Sequence, residues 1–411
     1  MSHRLSRRHF LATVGAAAVS IAGAAPGKKA PRRILLRSSW QTINIGDIAH
    51  TPGMLTLLET QSPEPEVTLW PSSIDNGVEA MLRARFPRLR IAKTVEEKNA
   101  ALEECDVCLH GSGPGFVAAA DIAKWRKTGK PYVIGGITLN DAEIKDRRDL
   151  LGDAKAVFCR DTDSLHALEA SKSPCPHREF GPDATFFLDL RDDSKADAFL
   201  REHALEPGKF ACFVPRLRYT PYWKIRKSVK PEEVAKREAV NEAHAESDHA
   251  KLRAAIVGWV RTTGNKALLC PEMTYQVELL RPLLFDRLPE DVKPQVVVRP
   301  DYWLTDEAAS TYARAAAVVS CEMHSPIIAI ANGTPAIHVR QPTDTRKGQM
   351  WRDVGLGDWL FEVEAAQGEE ISNRLLALVR EPEETKAKIA KARAFIAKRG
   401  RAMTDAVAAA V

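Results

Sequence analysis

Short apolar runs alternate along the chain with longer segments whose apolar positions recur at helical spacing. "RRILLRSSW", "EVTLWP", "LRIA", "CDVCLHGSG", "PYVIGG" and "AKAVFCR" read as strands. Between them "PGMLTLLETQ", "GVEAMLRARF", "EEKNAALEE" and "AAADIAKWRKTG" read as helices. The first of these has Pro52 near its first turn, and the last is closed by Gly129. Strands alternating with helices predict a parallel sheet covered on both faces. The alternation lapses between about Asp189 and Gly208, in a charged stretch ending in Pro-Gly, and then resumes. "KFACFVPRLRY", "KALLCPE", "PQVVVRP", "AAVVSCE" and "PAIHVR" are the second set of strands. A charged helix is expected from Pro231 to Thr263, another over "TYQVELLRPLLFDRL", a third over "TDEAASTYARA" capped by Thr305, and a short one over "PIIAIAN". The pattern predicts an α/β chain of two Rossmann-like domains facing across a cleft. They span 34–190 and 208–363, and helices follow over 364–411.

The first residues carry a different signal. "LSRRHFLATVGAAAVSIAGAA" pairs Arg7 and Arg8, continues with Phe10 and Leu11, and runs into small apolar residues without an acid. This order reads as a twin-arginine export signal with cleavage after Ala25, the rest of 1–33 being linker. It implies engagement of the twin-arginine machinery and a periplasmic or extracellular destination. The leader also changes the meaning of the charge. The formal net charge is +5. Removing Arg4, Arg7 and Arg8 leaves +2, and removing Lys28, Lys29, Arg32 and Arg33 as well leaves −2. The body is therefore not basic, and no nucleic-acid partner is expected.

Seven cysteines lie mostly in or beside strand-like runs, Cys175 excepted, and read as buried single thiols. Cys105 and Cys108 have C-x-x-C spacing, but residues i and i+3 of a strand face opposite sides, so no metal or redox pair is expected. In "HAESDH", His244 and Asp248 share a helix face, but a third ligand is not evident; a solvated face is expected and no metal site.

Candidate chemistry collects at strand ends, where open α/β sheets bind ligands. After the first strand come Asn44, Gly46 and Asp47, a turn before a helix that either caps it or meets an anion. Gly111 and Gly113 follow the "CDVCL" strand. Arg160 and Ser164 lie where a strand turns into a helix that Asp161 or Thr162 could cap, and Pro182 and Asp183 come soon after. Arg216 ends the first strand of the second half and suits a phosphate or carboxylate. The "SCEMHSP" stretch puts Glu322 and His324 between strand and helix. Arg340, Asp344, Arg346 and Lys347 occupy the next loop. His324 among cations suits donation of a proton to a leaving phosphate; the bland alternative is a histidine bonded into the core.

In this order the motifs resemble the polysaccharide pyruvyl transferase family: Asn44-x-Gly46-Asp47, the glycine loop, Arg160 to Ser164, Pro182-Asp183, Arg216, His324 with Ile328, Gly333 and Pro335, then Lys347. The resemblance runs over about residues 34 to 360. It implies a GT-B-like fold and transfer of a pyruvyl group from phosphoenolpyruvate to a glycan hydroxyl pair as a ketal, with no cofactor. It further implies that His324 is the acid or binds the donor, that Arg216 pairs with the donor's anionic groups, that Lys347 adds charge, and that Asn44 and Asp47 line the acceptor side. Glu322 stands where the family commonly has arginine. Both this carboxylate and the export signal are at odds with a cytoplasmic trianionic donor. Two other readings follow: a non-catalytic glycan-binding protein, and an altered carbohydrate-active enzyme using Glu322 and His324 as an acid/base pair.

Overall fold

The computed structural model describes residues 32–225 and 229–411; the twin-arginine segment lies outside them. The first sheet contains β1 (Arg33–Ser38), β2 (Glu66–Pro71), β3 (Arg90–Ile91), β4 (Val107–His110), β5 (Tyr132–Ile137), β6 (Ala156–Cys159) and β7 (Arg178–Phe180). Its order is β3-β2-β1-β4-β5-β6-β7. The second contains β8 (Phe210–Val214), β9 (Lys266–Leu269), β10 (Val296–Val298), β11 (Ala317–Ser320), β12 (Ala336–Arg340) and β13 (Leu360–Glu362), in the order β10-β9-β8-β11-β12-β13. All pairs are parallel, with Leu36 facing Leu69 and Leu109 in one sheet and Val319 facing Phe213 and Ile337 in the other. The α/β chain thus has two Rossmann-like halves of the same winding. In each, the strand order reverses at one place, between β1 and β4 and between β8 and β11. The loops leaving these strands open a crevice there.

The central strands are buried on both faces, which is why they read as unbroken apolar runs rather than alternating ones. The long helix Pro231–Thr263 begins with Pro at its first position and ends at Gly264, whose φ of 68° is the left-handed closure that glycine allows. The final helix, Pro382–Ala409, returns to the first half. Gln61 Nε2 donates to Thr404 Oγ1 at 2.6 Å, and Arg399 Nε donates to the Phe180 carbonyl at 2.9 Å. Among the described residues no helix is long and apolar enough to cross a membrane.

Several elements differ from expectation. The first helix spans Ile45–Glu59, so Pro52 lies inside it. The Thr274–Arg287 segment is a 3₁₀ turn, a π turn and a second 3₁₀ turn rather than an α-helix; Pro282 lacks the N–H that a continuous α-helix would use. Thr305 does not cap its helix. Leu304 holds that position, and the Thr305 hydroxyl donates instead to the Ile45 carbonyl of the other half at 2.7 Å. Asp248 is not solvated: it is 3% exposed and takes Arg218 Nε and Nη2 at 2.9 and 3.0 Å. The seven cysteines are buried and unpaired.

Candidate functional site

The two crevice edges are joined by backbone. Asn44 and Met273 form an isolated antiparallel bridge. Ile45 N–H donates to the Glu272 carbonyl at 3.0 Å, and Thr274 N–H donates to the Ile43 carbonyl at 3.1 Å. The loop after β1 is therefore locked to the loop after β9. At this junction His324, the first residue of the helix His324–Ala331, lies on Gly46. A Cβ at position 46 would come within 2.2 Å of His324 Cγ. Glycine is required at position 46 because the imidazole occupies the space a side chain would fill.

Below His324 lies Asp183, fully buried. Its Oδ2 pairs with Arg160 Nη1, itself fully buried, and lies 3.8 Å from His324 Nε2. Its Oδ1 is 2.9 Å from His50 Nδ1 and accepts from Thr185 N–H at 2.9 Å. Ser112 Oγ, in the glycine loop, lies 2.7 Å from His50 Nδ1. On the other side of His324, Glu272 Oε1 is 3.4 Å from Nδ1. The second Glu272 oxygen accepts from Ser325 N–H and Oγ–H at 2.6 and 2.7 Å. His324 is thus held between two carboxylates, one from each half.

A second cluster surrounds Arg216. Its Nη1 lies 2.9 Å from Asp344 Oδ1 and donates to Gln341 Oε1 at 3.0 Å, and its Nε lies 3.3 Å from Glu322 Oε2. Glu322 Oε1 accepts from Gln276 Nε2 at 2.8 Å. Lys347 Nζ and His338 Nε2 each lie 3.4 Å from an Asp344 oxygen. The short Ser320–Ser325 segment connects the clusters. Ser320 Oγ accepts from the Glu322 N–H at 2.9 Å, which fixes the turn between the two chemical side chains.

The protonation states follow from these contacts. Burial alone would depress His324, but the Glu272 carboxylate, followed by Asp183, outweighs it and raises His324 above its ordinary value. Burial depresses His50, which is favoured as the neutral imidazole. Burial opposes the Asp183 charge, yet His50 and Arg160 hold it well below the usual carboxylate range. Burial likewise opposes the Arg216 charge, but Asp344 and then Glu322 raise it. Glu322 goes the other way from its partner: burial pushes it up to about 7 despite Arg216. The asymmetry comes from Asp344, which lies closer to Arg216, also meets Lys347 and is held below its ordinary value. Asp344 takes most of the positive charge, and Glu322 is left beside Glu272 and Asp344 to bear the desolvation. Two residues apart in the chain thus stand a carboxyl raised to about 7 and an imidazole raised by its carboxylate neighbours, the group types that general acid/base chemistry uses.

The expected residues fall into distinct places. Asn44 caps the first helix, accepting from Gly46 N–H at 2.7 Å and Asp47 N–H at 3.3 Å. Asp47 accepts from Gln41 Nε2 and lies 3.9 Å from His50 Nε2. Gly111 and Gly113 permit close packing on Ser38 and Trp40, where a Cβ would meet side-chain atoms at 2.9 and 2.8 Å. Arg160 holds Asp183 and donates from Nε to Thr138 Oγ1 at 2.9 Å. His50 and Glu272 are new members of the site. The signals available in the sequence were His50 four residues after Gly46 and Glu272 at the end of "KALLCPE". One ligand atom each from His50, Asp183 and His324 lies within 4.8 Å of the others, so among the described residues this trio has the donors for a metal ion. The Arg160 guanidinium already supplies the cation that Asp183 faces.

The model of the polysaccharide pyruvyl transferase family matches residues 44–341. No curated protein matches the sequence. Among solved structures, the chain is similar to the Neisseria meningitidis UDP-GlcNAc 2-epimerase bound to UDP-GlcNAc, at 9% identity and a TM-score of 0.57, covering 92% of this chain and 100% of that one. It is also similar to Anabaena HepE in complex with UDP-glucose, at 11% identity and a TM-score of 0.55, covering 92% and 98%. The S. aureus MnaA structure with UDP gives 10% identity and a TM-score of 0.54, covering 88% and 91%. At these identities the likeness is one of fold, and the fold is GT-B-like.

Proposed function

Because the chain belongs to the polysaccharide pyruvyl transferase family, we propose that this transferase moves a pyruvyl group from phosphoenolpyruvate onto a hydroxyl pair of a cell-surface or extracellular glycan. In that reaction two C–O bonds form to the central pyruvyl carbon and the bond to the phosphate oxygen breaks. The acceptor loses two protons, of which one ends on the methylene carbon and the other on the departing phosphate. His324 serves as the acid toward the phosphate, and Glu322 takes a proton from an acceptor hydroxyl. The observation that carries the reading is His324 held between Glu272 and Asp183 on the floor made by Gly46. This geometry favours a charged imidazole at the junction of the two halves. The leader "SRRHFL" supports export of the protein, so the glycan is placed outside the cytoplasm.

The test is incubation of the purified protein with phosphoenolpyruvate and a glycan panel, followed by phosphate release and mass spectrometry of the product. A ketal on the glycan with stoichiometric phosphate supports the proposal; no phosphate release across the panel counts against it. One observation favours a second reading. Arg216 is engaged by Glu322, Asp344 and Gln341, so an anionic donor would have to displace carboxylates to reach it. A protein that binds the glycan without turnover, or an altered enzyme with another donor, meets no such obstacle. Glycan binding that survives His324→Ala, with no turnover in the unaltered protein, would establish the binding role.

A further inference from the structure

The two oxygens of Glu272 have unequal company. Oε2 accepts from both Ser325 N–H and Ser325 Oγ–H, at 2.6 and 2.7 Å. Oε1 is buried, accepts no hydrogen bond and stands 3.4 Å from His324 Nδ1. The clamp on Oε2 is what turns Oε1 toward the imidazole. A serine hydroxyl carries one proton, so half of that clamp depends on where the Ser325 proton points. Tyr312 settles its direction. The Tyr312 hydroxyl donates to Ser325 Oγ at 3.1 Å, which occupies the serine oxygen as an acceptor and leaves its proton for Glu272. The other contact of the Tyr312 hydroxyl is Cys270 Sγ at 3.9 Å, a weak partner. Tyr312 to Ser325 to Glu272 is thus a chain of donors ending on the carboxylate that His324 meets from the other side.

The chain is set in rigid surroundings. Tyr312, Ser325 and Glu272 are all fully buried, so water does not compete for their hydrogen bonds and each bond is strengthened by the next. Tyr312 belongs to the helix Thr305–Arg314, and its carbonyl accepts from Thr334 Oγ1 at 2.8 Å. Trp303 stands edge-on to the Tyr312 ring, with the centroids 5.6 Å apart. The Trp303 Nε1–H donates to the Pro271 carbonyl at 2.8 Å. The tyrosine ring is therefore fixed against the same loop that carries Glu272.

We propose that Tyr312 is a positioning residue of the site: acting through Ser325, it selects the Glu272 oxygen presented to His324 and so fixes the alignment of the imidazole. The proposal rests on the reading of His324 as the acid. It adds that the alignment is set from a different helix, two hydrogen bonds away from Glu272.

The test uses the full chain and four variants. Tyr312→Phe removes the hydroxyl and keeps the ring against Trp303. Ser325→Ala cuts the chain one step nearer Glu272 and keeps the backbone donor. The first measurement is the His324 Nδ1 resonance at fixed pH and without substrate, observed by NMR through the carbon-bound ring protons. Both variants should move it in the direction that Glu272→Gln does, and Tyr312→Phe should add nothing in the Glu272→Gln background. Cys270→Ala, which removes the other contact of the tyrosine hydroxyl, should leave it in place. The second measurement is pyruvyl transfer, where Tyr312→Phe should lower kcat about three- to tenfold, the value of one hydrogen bond, with KM unchanged. The proposal is overturned if the resonance stays in place in both Tyr312→Phe and Ser325→Ala. It is equally overturned if Tyr312→Phe moves the resonance as far in the Glu272→Gln background, or if Cys270→Ala moves it as far as Tyr312→Phe does. The two readings fail separately. Pyruvyl transfer with an unmoved His324 resonance in Tyr312→Phe and Ser325→Ala removes the positioning role and keeps the transferase. A moved resonance without transfer from phosphoenolpyruvate keeps the positioning role and removes the donor.

Discussion

Replacing Glu322 by glutamine separates two accounts of the Arg216 contact. If the buried carboxyl keeps its proton up to about pH 7, its folded-state value lies above the ordinary 4.5. Folding then gains nothing from ionising it. Below pH 4.5 the carboxyl is protonated in both folded and unfolded chains, and Glu322→Gln is close to neutral. Between pH 4.5 and 7 the unfolded chain ionises and the folded chain does not. Stability from this group therefore falls as pH rises through that window and is flat above it. The rise of about 2.5 at 1.36 kcal/mol each gives roughly 3 kcal/mol. Glutamine carries no such dependence, and its amide oxygen still accepts from Gln276 Nε2 where Glu322 Oε1 does at 2.8 Å. The variant should thus gain about 3 kcal/mol relative to the unaltered protein between pH 4.5 and 7.5, read as the difference of urea unfolding curves across that range. A flat difference refutes the reasoning. So does the opposite sign, because an ionised Glu322 locked to Arg216 would make its removal costly, by about 3–5 kcal/mol at neutral pH.

Three further outcomes follow from the geometry. Gly46→Ala should cut kcat/KM by about a hundredfold or more, since a Cβ displaces His324 by a distance on the scale that misaligns reacting groups; near-normal kinetics would remove His324 from the mechanism. Glu272→Gln should move the alkaline limb of the pH–rate profile to lower pH, because His324 works protonated and loses its raising partner. Histidine NMR would show the same downward movement, and an unmoved resonance would show that Glu272 does not control it. Asp183→Asn should destabilise the fold by about 3–5 kcal/mol, by leaving Arg160 buried without a countercharge; a melting temperature close to the original would show that Arg160 finds another partner.

The strand ends were legible because parallel strands buried on both faces announce themselves as apolar runs, and the residues just beyond β8 and β11 are polar. Glu322, His324 and Arg216 came directly from that rule. His50 and Glu272 did not, because their roles depend on partners far away in sequence: Asp183 for His50 and His324 for Glu272. His50 was hidden further by Pro52, which read as a helix start although the Asn44 cap begins the helix earlier. Asp248 read as solvated from helix periodicity, but Arg218 folds over it. Asp183 entered only as part of the Pro182-Asp183 motif; its charge is the centre around which Arg160, His50 and His324 gather.

The backbone bridge between Asn44 and Met273 has one more consequence. Each half supplies only part of the acid: one side gives the glycine floor, Asp183 and His50, and the other gives His324 and its Glu272 partner. A nick between the two sheets would leave one fragment with an unsupported imidazole and the other with a buried arginine–aspartate pair facing solvent. Neither piece could act as a reduced version of the whole. Activity restored by mixing the fragments would therefore report reassembly of the whole seam, the bridge together with the Thr305–Ile45 contact and the final helix on the first half, and its concentration dependence would measure how tightly the halves hold each other.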